Sequence, residues 1–334
     1  MKKVLVIVGL LIATIAGISI AYAGTPVGTT VKPVQPHIED GTFSMKIKTI
    51  NDVEVYPTGL RFDCNIPYAF DGEALELWIN VSDPNGEQDL VTGNAEVKFY
   101  LFKDNNTDQP PIEIKAGVVA SSLADSDNDT ATFYASYTVP KASIVKGDYY
   151  IYVYACDSGS LEADNANVYS AALRENLYYT GVHVFLNPTV AYSINVSSIQ
   201  FGQVGPGDVD VPSLNNTVGI TNADPDNVGM KIGVGLALTP LVKAGSDWKI
   251  DPSNIDVDTV AMNGTALHTE ISAGAPDETA SLDYEPTLAN SEVVLNPYLV
   301  KSGMSISVNF FLDVPMPLAS GDYTGTLTIY AHGF

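Results

Sequence analysis

One unit is written twice in this chain, and it restricts the fold more than any other feature. Val139-Pro140 is followed, after a six-residue spacer, by Gly147-Asp148-Tyr149 and an apolar run; Val314-Pro315 is followed, after five residues, by Gly321-Asp322-Tyr323 and another. Pro closes an extended segment and Gly-Asp opens a turn, so each copy reads as strand, corner, strand. The parity repeats as well. Tyr149, Ile151, Val153 and Ala155 share one face, and Tyr323, Gly325, Leu327, Ile329 and Ala331 share its counterpart. Two copies of one β-unit predict two domains, 40–187 and 188–334, meeting at Asn187-Pro188.

Period-2 alternation fills both halves. Phe43, Met45 and Ile47 alternate with Ser44, Lys46 and Lys48. Leu75, Leu77, Ile79 and Val81 alternate with Glu76, Trp78 and Asn80; Val97, Phe99 and Leu101 alternate with Lys98, Tyr100 and Phe102. Such patterns predict half-buried strands. Further strands are expected near 131–139, 148–156, 181–187, 190–199, 214–221, 230–238, 304–312 and 322–332. Asp83-Pro84-Asn85-Gly86, Asp104-Asn105-Asn106 and Asp224-Pro225-Asp226-Asn227 supply turns between them. Only 161–177, LEADNANVYSAALRENL, has a helical look.

A Tyr at the corner before a late strand is a β-sandwich device. On Val-Pro…Gly-Asp-Tyr and that corner, the chain resembles the immunoglobulin-like and fibronectin III-like sandwiches of secreted surface proteins in archaea and bacteria. The resemblance implies an all-β fold of two tandem immunoglobulin-like β-sandwich domains, with Tyr149 and Tyr323 as corner residues. It carries architecture and not activity. Cys64, Trp78 and Tyr154-x-Cys156 imitate the Cys…Trp…Tyr-x-Cys series of antibody-type domains, but parity opposes the match. Trp78 shares a face with Glu76 and Asn80, and Cys156 with Tyr150, Tyr152 and Tyr154, whereas Cys64 lies with Leu60 and Phe62 toward the core. Only a bend or bulge at a strand end would join the sulfurs. Paired cysteines are the rule in exported chains, so a Cys64–Cys156 disulfide is expected, with two buried free thiols as the alternative.

Export is read from the N-terminus. Met1-Lys2-Lys3 is a basic start, Val4 to Ile20 is uncharged and apolar, and Ala21-Tyr22-Ala23 fits small-x-small cleavage before Gly24. Residues 1–23 are expected to be a removed signal peptide. The rival is an uncleaved anchor, for which the run is slightly short. No transmembrane anchor is then expected in the mature chain. Residues 24–39, rich in Pro, Gly, Val and Thr, are expected to form an extended arm. Six N-x-S/T sequons, at Asn80, Asn105, Asn128, Asn195, Asn215 and Asn263, agree with a secreted glycoprotein.

Charge and motifs narrow the function. Sixteen Lys+Arg against 39 Asp+Glu give −23, which excludes the basic footprint of a nucleic-acid binder. There is no H-E-x-x-H, no G-x-S-x-G and no phosphate loop, and His37, His183, His268 and His332 have no ligand spacing. No enzyme is expected. Asp125-Ser126-Asp127-Asn128-Asp129 alternates Asp125, Asp127 and Asp129 around a potential hard cation, as calcium loops do. Thr130 stands where an EF-hand needs Gly, and a solvated acidic turn is the alternative. Asp208/Asp210, Asp224/Asp226 and Asp256/Asp258 are weaker echoes.

The remaining feature is aromatic. Trp78, Tyr100, Phe102, Tyr150, Tyr152, Tyr154, His183 and Phe185 all take the non-core parity. Left open, such a face would bind a partner subunit or sugar rings; alternatively, 161–177 folds over it. The expectation is a secreted, non-catalytic surface subunit that associates with itself or with other surface proteins, with a carbohydrate-binding or adhesive module using the aromatic face as the alternative.

Overall fold

The structure is a computed structural model, and it describes residues 32–123, 129–140, 145–214, 218–260, 266–270, 272–273 and 299–333. The chain divides into two units, Met1–Pro33 and Val34–Phe334, and every described strand lies in the second. The fold is all-β, broken among the described residues only by short 3-10 turns. Among the described residues no helix is long and apolar enough to cross a membrane.

The first lobe is a sandwich. One sheet runs, from edge to edge, Glu54–Tyr56, Ser44–Lys48, Ala74–Ser82, Thr130–Thr138 and Gly117–Val118, with His37–Ile38 added to the 74–82 strand. The other runs Val168–Ser170, Glu175–Leu186, Gly147–Cys156, Glu96–Lys103 and Ile112–Lys115, with Tyr68–Ala69 joining 175–186 in parallel. Alternation decides the packing. Leu75, Leu77, Ile79 and Val81 meet Val97, Phe99, Leu101, Ile151 and Val153 in one core, all nearly inaccessible. Burial of each such side chain contributes about 1.5–3 kcal/mol.

The second lobe repeats the plan more loosely. Its larger sheet runs Tyr192–Ile194, Val218–Asn222, Ser305–Leu312, Ile255–Val260 and Ala266–Glu270. Opposite it, Ile232–Leu238 pairs along its length with Leu327–Gly333, and a small sheet joins Lys249–Ile250, Leu241–Lys243 and Tyr323–Thr324. Val218, Ile220, Ile232, Val308, Phe310 and Leu312 fill this core.

The duplicated unit is the crossover between layers. After 130–138, and again after 305–312, the chain leaves one sheet, buries Val139 or Val314, and enters the opposite layer. Tyr149 Oη donates to Val145 O at 2.7 Å, and Tyr323 Oη donates to Ala319 O at 2.8 Å. Beside each corner glycine lies a lysine of the neighbouring strand, Lys103 against Gly147 and Lys243 against Gly321.

No described strand pair crosses residue 187, yet the cores interlock. Cys64, Ile66, Tyr68, Phe70 and Phe185 of the first lobe pack into the second core. Asn65 and Ile66 N–H both donate to Val228 O, at 2.8 and 3.2 Å. Gly229 has φ 79°, and a Cβ there would lie 2.6 Å from the backbone nitrogen of Asn65, so only Gly fits. Arg61, 3% exposed, sits 4.6 Å over Tyr68 and 5.1 Å over Phe70, and forks onto both oxygens of Glu73 at 2.6 and 2.8 Å. Lys231 crosses the junction to Asp63 at 2.5 Å and to Leu60 O at 3.0 Å.

Two sequence expectations change. Residues 161–177 are not helical: Val168–Ser170 turns back as a hairpin onto 175–177, with Val168 opposite Leu177. The arm 24–39 is not wholly unpacked at its end, because His37 and Ile38 pair with Ser82 and Val81, and Ile38 is fully buried. Residues 1–31, which hold the expected signal peptide, lie outside the described residues.

Candidate functional site

The non-core aromatic residues do not form one open face. Trp78 belongs to the first sheet, where it packs on Tyr134 with centroids 5.1 Å apart and under Lys46. Tyr100, Phe102, Tyr152 and Tyr154 belong to the second sheet, and all four are buried with Cys156 and Leu177 in a small third core. The reading of Trp78, Tyr100, Phe102, Tyr150, Tyr152 and Tyr154 as a single partner or sugar face is therefore corrected. The 161–177 segment closes over the second sheet, with Leu177 inside this cluster and Val168 and Leu173 packed against it. Tyr100 Oη donates to Glu175 at 2.9 Å, and Tyr152 Oη donates to Asn105 Oδ1. Burial holds the Tyr100 and Tyr154 phenols well above the usual range, with Glu175 adding to the first and Cys156 to the second. Tyr150 stays half-buried, stacked on His183 at 5.1 Å, and His183 pairs with Asp148 at 2.8 Å.

The expected disulfide is also corrected. Both thiols are free. Cys156 points into the aromatic core and donates to Asn94 O at 3.5 Å, whereas Cys64 packs at the junction of the lobes. Burial pushes the Cys64 thiol up to about 11. Cys64 is not on a strand: it follows the 3-10 turn Gly59–Arg61, where Leu60 is buried and Phe62 is exposed, so strand parity does not describe its position.

Three sequon asparagines lie among the described residues. Asn105 and Asn195 are exposed; Asn80 is half-buried on the outer face of the first sheet, accepting from Thr132 Oγ1 at 2.9 Å. Asn128, Asn215 and Asn263 lie outside the described residues, as do Asp125 and Asp127 of the expected calcium loop. Asp129 is exposed, and its carbonyl accepts from Asp83 N–H at 2.6 Å.

That bond leads to an acidic cluster the sequence reading passed over as a turn. Asp83, Asp89 and Asp157 present carboxylate oxygens within 4.8 Å of one another. Asp83 and Asp157 are fully buried, and Glu87, in the same loop as Asp83 and Asp89, is 2% exposed. Asp83 Oδ1 accepts from Asn85 N–H and Asp157 Oδ1 from Leu161 N–H, both at 2.7 Å. Asp83 Oδ2, Asp157 Oδ2 and Glu87 Oε2 have no hydrogen-bond partner. Burial raises the Asp83 carboxyl against the Asn85 hydrogen bond, and Asp89 and Asp157 raise it further. Donors at 83, 85, 87 and 89 alternate along the loop, a pattern visible in the sequence. Asp157 arrives from a distant strand end and was not.

The second lobe presents an unusual edge. Among the described residues, Leu327–Gly333 pairs with a strand on one side only, 232–238. Its counterpart in the first lobe, 147–156, is flanked on both sides, by 96–103 and 175–186. Thr239 N–H donates to Thr326 O, so the even-numbered residues of this segment direct their backbone inward. The odd ones face out, where Tyr192 Oη donates to Ile329 O at 2.6 Å.

No family model matches the chain. A relative, the uncharacterized protein MJ0289 of Methanocaldococcus jannaschii, is 33% identical over 337 aligned positions, spanning 95% of this chain and 91% of that protein. Solved structures with some likeness include the C-terminal domain of the Streptococcus agalactiae AgI/II polypeptide BspA, at 14% identity over 87% of this chain and 96% of that one with a TM-score of 0.32. A mutant of the enterotoxigenic E. coli adhesin CfaE is 8% identical over 90% of this chain and 87% of that one, with a TM-score of 0.26.

Proposed function

We propose, for a chain that belongs to the same family as the Methanocaldococcus jannaschii protein MJ0289, a secreted, non-catalytic role at the cell surface as a subunit that assembles by strand addition. The observation that carries this reading is the Leu327–Gly333 strand, which among the described residues pairs on one side only. An edge of seven residues offers four outward backbone positions, and proteins normally cover such edges. A strand from another subunit satisfies it with main-chain hydrogen bonds, displacing the Tyr192 hydroxyl from Ile329 O. The proposed donor is the Val/Thr-rich arm before Val34, which Pro residues keep from forming a sheet alone. The exposed sequon asparagines, Asn105 and Asn195, suit an extracellular glycoprotein. Tyr100, Phe102, Tyr152 and Tyr154, four of the rings a sugar-binding face would need, are buried in the first lobe, which favours the structural reading over a sugar-binding one.

The test is the assembly state of the leader-free protein at rising concentration, by sedimentation and electron microscopy, beside Ala331→Pro and a deletion of 24–33. Residue 331 directs its N–H outward, so Pro removes an edge donor and leaves pairing with 232–238 intact. Concentration-dependent polymers from the parent, and folded monomers from both variants, are the expected result. Polymers that persist in Ala331→Pro would remove the edge from the account.

A further inference from the structure

The cluster at Asp83, Asp89 and Asp157 is built like a site rather than a solvated turn. Asp83 and Asp157 are fully buried with Asp89 half-buried beside them, and the two buried carboxylates are only half satisfied. The second lobe shows what this chain does with a buried Asp that has no such role. Asp224, in the comparable Asp-Pro turn, is 5% exposed, and its two oxygens accept from the N–H groups of Val228, Gly229 and Met230 at 2.8–3.3 Å. At Asp83 and Asp157 one oxygen of each is bound and the other is bare. An unmet buried carboxylate oxygen is costly, and two facing a third carboxylate are costlier still.

We infer that Asp83, Asp89 and Asp157 bind one calcium ion. Oxygens on a common calcium, with bonds of about 2.4 Å, lie no more than about 4.8 Å apart. These three meet that limit together. Three carboxylates around one point favour calcium over magnesium, which keeps its waters and takes one or two. The loop Asp83-Pro84-Asn85-Gly86-Glu87-Gln88-Asp89 supplies two of the three carboxylates, and the Asp83 oxygen not bound to Asn85 N–H is unpartnered. The second segment is preassembled against the first. Ser158 N–H donates to Asp89 O at 2.8 Å and Ser158 Oγ to Asp89 Oδ1. The ion would join the loop that leaves the 74–82 strand of one sheet to the end of the 147–156 strand of the other, clamping the sandwich at one end. The site is independent of the assembly edge.

The experiment uses the leader-free full chain, with calorimetric titration of calcium chloride and melting in calcium and in EDTA. Wild type should bind calcium through this site and melt higher in calcium than in EDTA. Asp157→Asn should weaken calcium affinity at least tenfold and lose most of the calcium-dependent shift. In EDTA the same variant should melt at or above wild type, because a buried unpaired charge is gone. Equal melting of wild type in both buffers overturns the inference. So does an Asp157→Asn that melts lower by the same amount in both, which would make Asp157 only the hydrogen-bond partner of Leu161. Asp125→Asn with Asp127→Asn should leave binding unchanged; loss of binding there would assign the ion to that loop instead.

Discussion

Tyr149→Phe and Tyr323→Phe form a matched pair of perturbations. Each deletes one hydroxyl and leaves the ring, and each hydroxyl donates to the carbonyl four residues upstream, at 2.7 and 2.8 Å. A hydrogen bond of this kind contributes a net 0.5–1.5 kcal/mol, roughly, with a further penalty when the abandoned acceptor is sealed from water. Neither acceptor is sealed: Val145 is 62% exposed and Ala319 is half-buried, so water replaces the lost donor. Each variant should therefore cost about 1 kcal/mol, which lowers a melting midpoint by about 1.5 °C in a chain of this size. Tyr149 is 5% exposed and Tyr323 half-buried, so the first should cost at least as much as the second. The corners lie in separate lobes, and the double variant should show the sum within about 0.5 kcal/mol. Tyr149→Ala also forfeits the ring and should cost about 3 kcal/mol or more. Scanning calorimetry reads all four. Midpoints unmoved by either Phe variant, or a Tyr149→Ala no worse than Tyr149→Phe, would show that the corner bonds and rings hold nothing.

Alkali should unfold the first lobe. Burial holds Tyr100 and Tyr154 above the ordinary tyrosine range, and burial with the hydrogen bond to Asp40 raises Tyr178 to about 12. A phenol whose folded value exceeds its unfolded one stabilises fully below the unfolded value, so stability should fall as pH rises from about 10. Phenolate absorbance that appears at ordinary tyrosine pH without loss of structure contradicts this. The free thiols make a separate prediction. Native Cys64 and Cys156 should resist alkylation near neutral pH, both should label on unfolding without reductant, and reductant should leave the melting midpoint unchanged. A single disulfide-linked mass would refute it.

Alternation was a reliable guide to which way side chains point and a poor one to what they meet. Tyr150, Tyr152 and Tyr154 do face away from Ile151 and Val153. Nothing in their own strand says that 161–177 returns to cover Tyr152 and Tyr154 together with Tyr100 and Phe102. That segment looks helical because Ala, Leu and Glu recur in it, but the ladder of Val168, Tyr169 and Ser170 against Leu177, Asn176 and Glu175 outweighs local propensity. The corners were legible because Val-Pro, Gly-Asp and Tyr each act within a few residues. The interlocking of the cores was not, since Ile66, Tyr68 and Phe70 carry no long alternating pattern. Two of the three residues of the acidic cluster lie close in sequence, Asp83 and Asp89, but were read as a turn, because Asp157, which completes the group, depends on how two sheets close.

The union of the lobes has a mechanical meaning. Arg61 is gripped by Glu73, by Tyr68 O at 2.8 Å and by two aromatic rings, and Gly229 leaves no clearance between the backbones at residues 65 and 229. Pulling the lobes apart would bare Tyr68 and Phe70 and break several polar contacts at once, so resistance should rise abruptly, as in a riveted joint. A cord of such subunits under tension would stretch and bend at the seams between neighbours, with each subunit moving as a rigid link.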